Sequence, residues 1–262
     1  VAYERRTMLA LVTGASSGIG RETALYLAEK GYDLILTARN EERLRELAER
    51  IESSTKACRV RVIPADLSKR EECLRLWRET RDDEVDFLVN SAGLGVCGEF
   101  ADTDLGRELD EIAVNVTAVH ILTKLYLRGM LKRNEGVILN VGSSAGFMAG
   151  PSFAGYYASK NYVVRLTEAI HEELRHRHTN VKISVLCPGP VETDFDRRAD
   201  VRNSMRGLKP CPVARYGVDR ALKGKMLIVP GAGMRLGLAF SHILPDSLMV
   251  RITYQIQKRK GR

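Results

Sequence analysis

The sequence has no run approaching the roughly 20 apolar residues that a membrane-crossing helix requires, so no span is expected. Its opening residues, Val1 to Thr7, are too few and too charged for a secretory signal, which makes the cytoplasm the expected location. Cysteine is sparse and unpaired in pattern: Cys58, Cys73, Cys97, Cys187 and Cys211 are odd in number and widely spaced. That spacing argues against a disulfide framework and against a zinc site, suits a reducing compartment, and leaves no metal expected. Aromatic residues make up 6% of the chain and form no stacking platform, so with no nucleic-acid motif present the net charge of +8 does not point to DNA or RNA. The charge fits an anionic partner, such as a phosphorylated cofactor, an acyl carrier or a lipid surface, or else a basic solvated surface.

What the chain does have is a regular alternation of short apolar runs and helical patterns. Strands are expected at Met8 to Thr13, Asp33 to Thr37, Val60 to Ile63, Val85 to Val89, Gly136 to Val141, Val181 to Leu186 and Met226 to Val229. Long helices are expected over Leu105 to Arg133 and from Gly155 to about His178. Such a pattern in 262 residues describes one domain, an α/β fold with a doubly wound parallel sheet of seven strands and helices on both faces.

The first strand runs straight into Thr13-Gly14-Ala15-Ser16-Ser17-Gly18-Ile19-Gly20 and then into a helix. Strand, glycine-rich turn and helix together bring backbone N–H groups and the positive end of a helix dipole against a pyrophosphate. Gly14, Gly18 and Gly20 keep side chains out of the cofactor's path. The second strand ends in Ala38-Arg39-Asn40, where a carboxylate would bond a free ribose 2′-hydroxyl and an arginine would accommodate a 2′-phosphate. Arg39 stands there and no acid does, which favours NADP(H) over NAD(H); the alternative is a surface pairing of Arg39 with Glu41 or Glu42. Asp66 follows the third strand and either accepts a bond from an adenine amino group or caps the next helix, two compatible roles.

Tyr156 and Lys160 stand four residues apart at the start of a helix, hence on one face. An ammonium beside a phenol favours the phenolate, and lowering a pKa of ~10 by ~3 units corresponds to roughly 4 kcal/mol. That would make Tyr156 a general acid or base near neutral pH. Ser143 follows the fifth strand, at the sheet edge where ligands bind in this topology. Asn115 lies mid-helix, where propensity disfavours it.

Asn115, Ser143, Tyr156 and Lys160 are separated by 28, 13 and 4 positions, downstream of a TGxxxGxG turn. This set resembles the short-chain dehydrogenase/reductase family, in its short single-domain branch, over Met8 to Pro230. The resemblance implies a Rossmann-type fold and an oxidoreductase that interconverts a ketone and a secondary alcohol by hydride transfer. It implies that Tyr156 is the acid/base, that Lys160 lowers its pKa and holds the nicotinamide ribose, that Ser143 polarises the substrate carbonyl, and that Asn115 holds a relay water. Cofactor contacts are implied for Gly14, Ser16, Ser17, Gly18, Ile19, Gly20, Arg39, Asp66, Leu67, Asn90, Ala92 and Gly93, and in the later loop for Pro188, Gly189, Val191 and Thr193. Tyr157 is taken as packing or substrate lining. The family's usual Asn-Asn-Ala-Gly is Asn90-Ser91-Ala92-Gly93 here, which puts bracing of the sheet in doubt, and Gly142 stands where serine is commoner.

Residues 1–233 are thus expected to form the cofactor-binding and catalytic unit, with a substrate lid over about 190–215. The lid is arginine-rich, with Arg197, Arg198, Arg202 and Arg206 followed by Lys209. Residues 234–262 form a basic amphipathic extension, two short helices hinged at Pro245. That tail either packs on its own or a partner subunit and closes the pocket, or makes weak peripheral contact with a membrane. A small carbonyl or alcohol substrate and a homodimer or homotetramer complete the expectation. The competing possibility is a non-catalytic nucleotide-binding scaffold or sensor of the same fold.

Overall fold

Leu9–Thr13 forms the first strand, β1, and shows how the core is divided. Successive strand residues alternate between faces, so Ala10 and Val12 join one apolar layer and Leu11 the other, all three fully buried. In β2 (Asp33–Thr37) Leu34 and Leu36 likewise oppose Ile35. The sheet continues with β3 (Val60–Val62), β4 (Phe87–Asn90), β5 (Val137–Val141), β6 (Lys182–Leu186) and β7 (Leu227–Ile228). All pairings are parallel and the spatial order is β3-β2-β1-β4-β5-β6-β7, the expected doubly wound arrangement. The order reverses between β1 and β4, which opens a crevice at their carboxyl ends.

The structure, a computed structural model, describes residues 7–55, 58–201, 207–241 and 244–260. One face of the sheet is covered by α1 (Gly18–Glu29) and α2 (Glu41–Ser54), which contribute Leu27, Leu44 and Ile51. The other face is covered by α3 (Arg70–Thr80), then, beyond α4 (Leu105–Ile112), by α5 (Val119–Arg133) and α6 (Ala154–His176), with Leu76, Leu122, Met130 and Leu174 inward. The lid contains the short α7 (Phe195–Arg198), and α8 (Pro210–Leu222) returns to the first face. After β7 come α9 (Ala232–Ser241) and α10 (Asp246–Lys260), on either side of Pro245 as the sequence indicated. Leu238 of α9 packs with Val163, Val164, Val185 and Val229. Among the described residues no helix is long and apolar enough to cross a membrane.

Two elements differ from expectation. The helix expected over Leu105 to Arg133 is continuous but widens to a π-helical turn at Ala113–Ala118, around Asn115, whose side chain is engaged outside the helix. The lid expected over about 190–215 gives way at Pro210 to α8, because proline is compatible with a helix's first turn. The buried set Val213, Ala214, Gly217, Val218 and Ala221 has helical spacing and was the available signal. Arg202 and Arg206 lie outside the described residues.

A polar network braces the sheet beside the crevice. Asn90 Nδ2 donates to Asn140 Oδ1 at 2.8 Å and to Thr123 Oγ1 at 3.1 Å, and Asn140 Nδ2 donates to Thr167 Oγ1 at 2.9 Å. One fully buried asparagine therefore joins β4, β5 and α6. The doubt raised by Ser91 is answered locally: Thr13 Oγ1 accepts from the backbone N–H of both Ser91 and Ala92, tying β1 to the β4 loop. Removing Asn140 would leave buried donors and acceptors unpaired. Asn140→Ala is expected to cost about 2–4 kcal/mol of stability in urea unfolding, and a loss below about 1 kcal/mol would show the network to be incidental.

Candidate active site

The glycine turn is shaped by close approach. Gly14 has φ +66°, and a Cβ there would lie 2.7 Å from the Ala92 nitrogen; at Gly20 a Cβ would lie 2.4 Å from the Gly14 carbonyl oxygen. Only glycine fits either position, so α1 begins directly against the strand ends. Ser17 at its N-cap makes no side-chain cap and its first turn holds no acid, which leaves the leading N–H groups available to an anion.

From this turn a cleft of about 480 Å³ runs across the carboxyl edge of the sheet. It is lined by Gly14, Ser16, Ser17, Gly18, Ile19, Arg39, Asp66, Leu67, Ala92, Gly93, Ser143, Tyr156, Lys160, Pro188, Gly189, Val191 and Thr193, all expected from the sequence. Three others do not line it. Gly20 packs behind Gly14; Asn90 is 2% exposed with its amide nitrogen committed to Asn140 and Thr123; Asn115 is fully buried. Asp66 Oδ1 accepts from the Ser68 N–H at 3.2 Å and hydroxyl at 3.0 Å, so it caps a turn while facing the cleft. Gly142 has no room for a serine, since a Cβ would meet Val185 Cγ2 at 2.9 Å.

Four side chains converge at the inner end. Lys160 Nζ donates to the Val141 carbonyl at 2.9 Å and lies 5.7 Å from the Tyr156 ring centre. A methyl at Gly93 would come within 3.4 Å of Asn115 Oδ1 and 3.6 Å of Lys160 Nζ, so these two groups meet over that glycine. Asn115 Nδ2 donates to the Leu94 carbonyl at 2.9 Å and to Ser159 Oγ at 3.0 Å, while Oδ1 accepts from the Leu94 N–H at 2.9 Å. Ser143 Oγ accepts from the Ala145 N–H at 3.1 Å. Tyr156 stacks on Phe153 with ring centres 4.6 Å apart, and Phe195 of the lid approaches it at 5.1 Å.

The expected lowering of the phenol by Lys160 is not the balance among the protein's own groups. Tyr156 keeps an edge open to the cleft, but dense protein surroundings push its pKa well up, with the Ser143 hydroxyl working the other way. Burial also lowers Lys160 to about 8, against the influence of Cys187 and Glu111. The ammonium faces the ring and the Val141 carbonyl, and desolvation outweighs it.

Several residues of the site were not anticipated. Arg43, one turn into α2, and Arg198, from α7, join Arg39 along the cleft. Burial lowers the Arg198 pKa, and the charges of Arg39, Arg43 and Arg197 lower it further while Asp194 opposes them. Phe195 and Gln257 also line the cleft. Glu111 lies one turn before Asn115, 1% exposed, with Oε1 3.2 Å from where a Gly155 Cβ would be. Neither of its oxygens makes a well-formed hydrogen bond. Burial pushes it up to about 7, opposed by the Val96 N–H and the Lys160 charge. A charged residue on the inner side of a helix that also carries Asn115 was the signal available in the sequence.

A glycine-turn cleft with a tyrosine and lysine at its inner end defines a nicotinamide-dependent oxidoreductase site. Residues 8–203 match the family model for short chain dehydrogenases. The chain is 34% identical over 199 residues to an uncharacterised oxidoreductase of Staphylococcus saprophyticus, covering 75% of this chain and 84% of that one. It is 32% identical over 229 residues to the 3-oxoacyl-acyl-carrier-protein reductase of Vibrio harveyi, covering 84% and 88%. Among solved structures, a short-chain dehydrogenase from Sphingobium yanoikuyae in complex with NADPH superposes with TM-score 0.81 at 25% identity, covering 88% and 95%. One from Burkholderia phymatum in complex with NAD gives 0.82 at 25%, covering 92% and 94%. This chain therefore belongs to the short-chain dehydrogenase/reductase family and is an NAD(P)-dependent oxidoreductase acting on alcohols or carbonyls.

Glu111 supplies a pH test. Its folded pKa of about 7 exceeds the unfolded carboxylate value, so the native state holds a proton the unfolded chain has released. Stability contributed by that group is present at low pH and is lost as pH rises from about 4.5 to 7. In Glu111→Gln this loss disappears. Urea unfolding at pH 5 and pH 8 is expected to show the variant gaining on the wild type at the higher pH, by about 2–4 kcal/mol; equal differences at both pH values would mean the carboxyl is not desolvated.

Proposed function

We propose that this protein is an NADP(H)-dependent oxidoreductase that interconverts a ketone and a secondary alcohol on an apolar or acyl-type substrate, working mainly as a reductase. The observation that carries this reading is the meeting of Ser143, Tyr156 and Lys160 in one cleft with the glycine turn, with Asn115 directly behind. The residues fit a dinucleotide: the close backbone contacts at Gly14 and Gly20 set α1 against the strand ends beside the cleft, and its start offers N–H groups without a side-chain cap. When bound, the nicotinamide supplies or accepts the hydride.

In reduction, Tyr156 gives its phenolic proton to the substrate oxygen, and Ser143 donates to the same oxygen as its charge develops. Burial keeps the phenol protonated, which suits this role. Lys160 holds the ribose hydroxyls and passes the replacement proton. The Asn115 amide nitrogen is already spent on Leu94 and Ser159, so a relay water would rest on the Asn115 backbone carbonyl in the widened helical turn. The aromatic wall of Phe153, Tyr156 and Phe195 supports an apolar substrate. The similarity to an acyl-carrier-protein reductase supports an acyl one.

The preference for NADP(H) is supported by charge. Arg39, Arg43 and Arg198 line the cleft together; burial lowers Arg198 most and the neighbouring arginines add to it, a repulsion of the kind a 2′-phosphate relieves. The acid nearby, Asp194, is paired with Arg43 and Arg197 at 3.3 Å each.

Residues 1–233 are assigned as the catalytic unit and 234–262 as an extension to it. Leu105, Leu109 and Ile112 on α4 and Tyr162 on α6 are exposed apolar residues on the helices proposed to pair in a homodimer or homotetramer. Leu248, Ile252 and Ile256 form an exposed stripe on α10 ahead of the basic terminus, which supports weak peripheral contact with an anionic membrane. All five cysteines are free thiols, in keeping with a cytoplasmic setting.

A panel of ketones and alcohols followed at the nicotinamide absorbance is expected to reveal turnover, and Tyr156→Phe to lose about a thousandfold in kcat while still binding NADPH. NADPH binding with no turnover across the panel would favour a nucleotide-sensing scaffold. Arg39→Ala and Arg198→Ala are each expected to reduce discrimination between NADPH and NADH by about tenfold, and unchanged ratios would remove the phosphate argument. Flotation on anionic liposomes should be stronger for the full chain than for a truncation at Met234; equal recovery would end the membrane reading.

A further inference from the structure

α10 is oriented against the simplest stability argument. Its apolar residues Leu248, Ile252 and Ile256 are 44%, 38% and 42% exposed, while Thr253 and Gln257, one turn apart, are 3% and 2% exposed. A helix serving only to cover a core would turn the other way. Thr253 Oγ1 donates to the Ala149 carbonyl at 2.9 Å, which fixes the rotation of the helix and brings Gln257 to the wall of the cleft.

Gln257 Nε2 donates to Tyr157 Oη at 2.5 Å, but its Oε1 is buried with no partner. A buried amide oxygen left unpaired is costly, and in a ligand-binding wall that cost is removed when a ligand supplies a donor. Tyr157 contributes the complementary group. Its oxygen accepts from Gln257, so its own proton is free to be donated, and burial pushes its pKa up, keeping that proton in place. Turning the amide over exchanges the roles: Tyr157 would then donate to Oε1, leaving the amide N–H groups and a phenolic lone pair. Either way the pair offers an acceptor and at least one donor, all uncharged.

We propose that Gln257 and Tyr157 form a two-point hydrogen-bonding subsite for a neutral hydroxyl or carboxamide group carried by the substrate beyond its reacting carbonyl. The ring of Tyr157 lies 6.3 Å from those of Phe153 and Tyr156, so the reacting end and this subsite are separated by an aromatic surface. A charged group placed against those rings would lose its hydration without gaining a counter-ion, whereas a hydroxyl or amide is matched. This assignment rests on the ketone–alcohol reading for its catalytic consequence, and the tail becomes part of the specificity pocket.

The test uses the full chain with NADPH and a series of short to medium-length 2-alkanones, each paired with its ω-hydroxy counterpart. Wild-type enzyme should prefer the hydroxylated ketone about tenfold in kcat/KM at the chain length that reaches the subsite. Gln257→Leu should lose that preference, read as the ratio of kcat/KM for each hydroxylated ketone to that for its plain counterpart. Tyr157→Phe should lose part of it, and the double variant no more than Gln257→Leu alone. Calorimetric binding of the same pairs to the NADPH complex should show the same preference, and it decides the subsite even where no ketone is turned over, an outcome that would count against the catalytic reading alone. A wild-type preference absent at every length, or unchanged in Gln257→Leu with NADPH affinity intact, overturns the proposal.

Discussion

The geometry of the site hangs on the amide of Asn115. Its three hydrogen bonds join the loop after β4, the widened turn between α4 and α5, and Ser159 in the catalytic helix. The helix opens to π geometry around this residue, and its Oδ1 and Lys160 Nζ both come close to Gly93. A buried amide with nearly every donor and acceptor filled is rigid, because any movement would leave a polar atom unpaired in a low dielectric. The lysine and the tyrosine one turn before it are positioned by that rigidity more than by their own contacts.

Desolvation is the second organising influence, and it acts on three ionisable groups at once. Tyr156 and Glu111 are pushed toward their protonated forms and Lys160 toward its neutral one. With a pKa of about 8, Lys160 still carries its charge for most of the time at neutral pH, while Tyr156 is neutral and Glu111 is close to half ionised. Glu111 is the least expected member, a carboxyl under the first turn of α6 that raises both Lys160 and Tyr156 when ionised. At the other end of the cleft the balance is opposite: arginines from the loop after β2, from α2 and from α7 crowd together and keep a positive field. One sheet edge therefore presents a strongly desolvated inner end and an arginine-rich outer end.

The lid and the tail complete the cleft from opposite directions. Phe195 brings an aromatic ring to Tyr156, and the lid backbone is tied down by the Cys97 N–H donating to Ala199 O at 3.0 Å and by Arg107 donating to Arg198 O at 3.1 Å. α10 contributes polar groups from the last described turn of the chain. Both segments reach the aromatic group of Phe153, Tyr156 and Tyr157, while the glycine turn and Asn115 are set by the strand ends.

The sequence by itself determined the sheet, its strand positions within a few residues, the glycine turn, Arg39, and the Ser143, Tyr156 and Lys160 set. These are carried by local signals: alternating burial, glycines at forced contacts, and side chains one helical turn apart. Local spacing also indicated two helices about Pro245. It did not reveal α8, whose prolines resembled loop residues, nor that Asn90 is spent on bracing the sheet. Only the tertiary structure decided the protonation balance of Tyr156 and Lys160, the gathering of Arg43 and Arg198 beside Arg39, the burial of Glu111, and the inward turn of Gln257. Each of these depends on how much water is excluded and which distant segment arrives alongside, and neither quantity is encoded in the spacing of neighbouring residues.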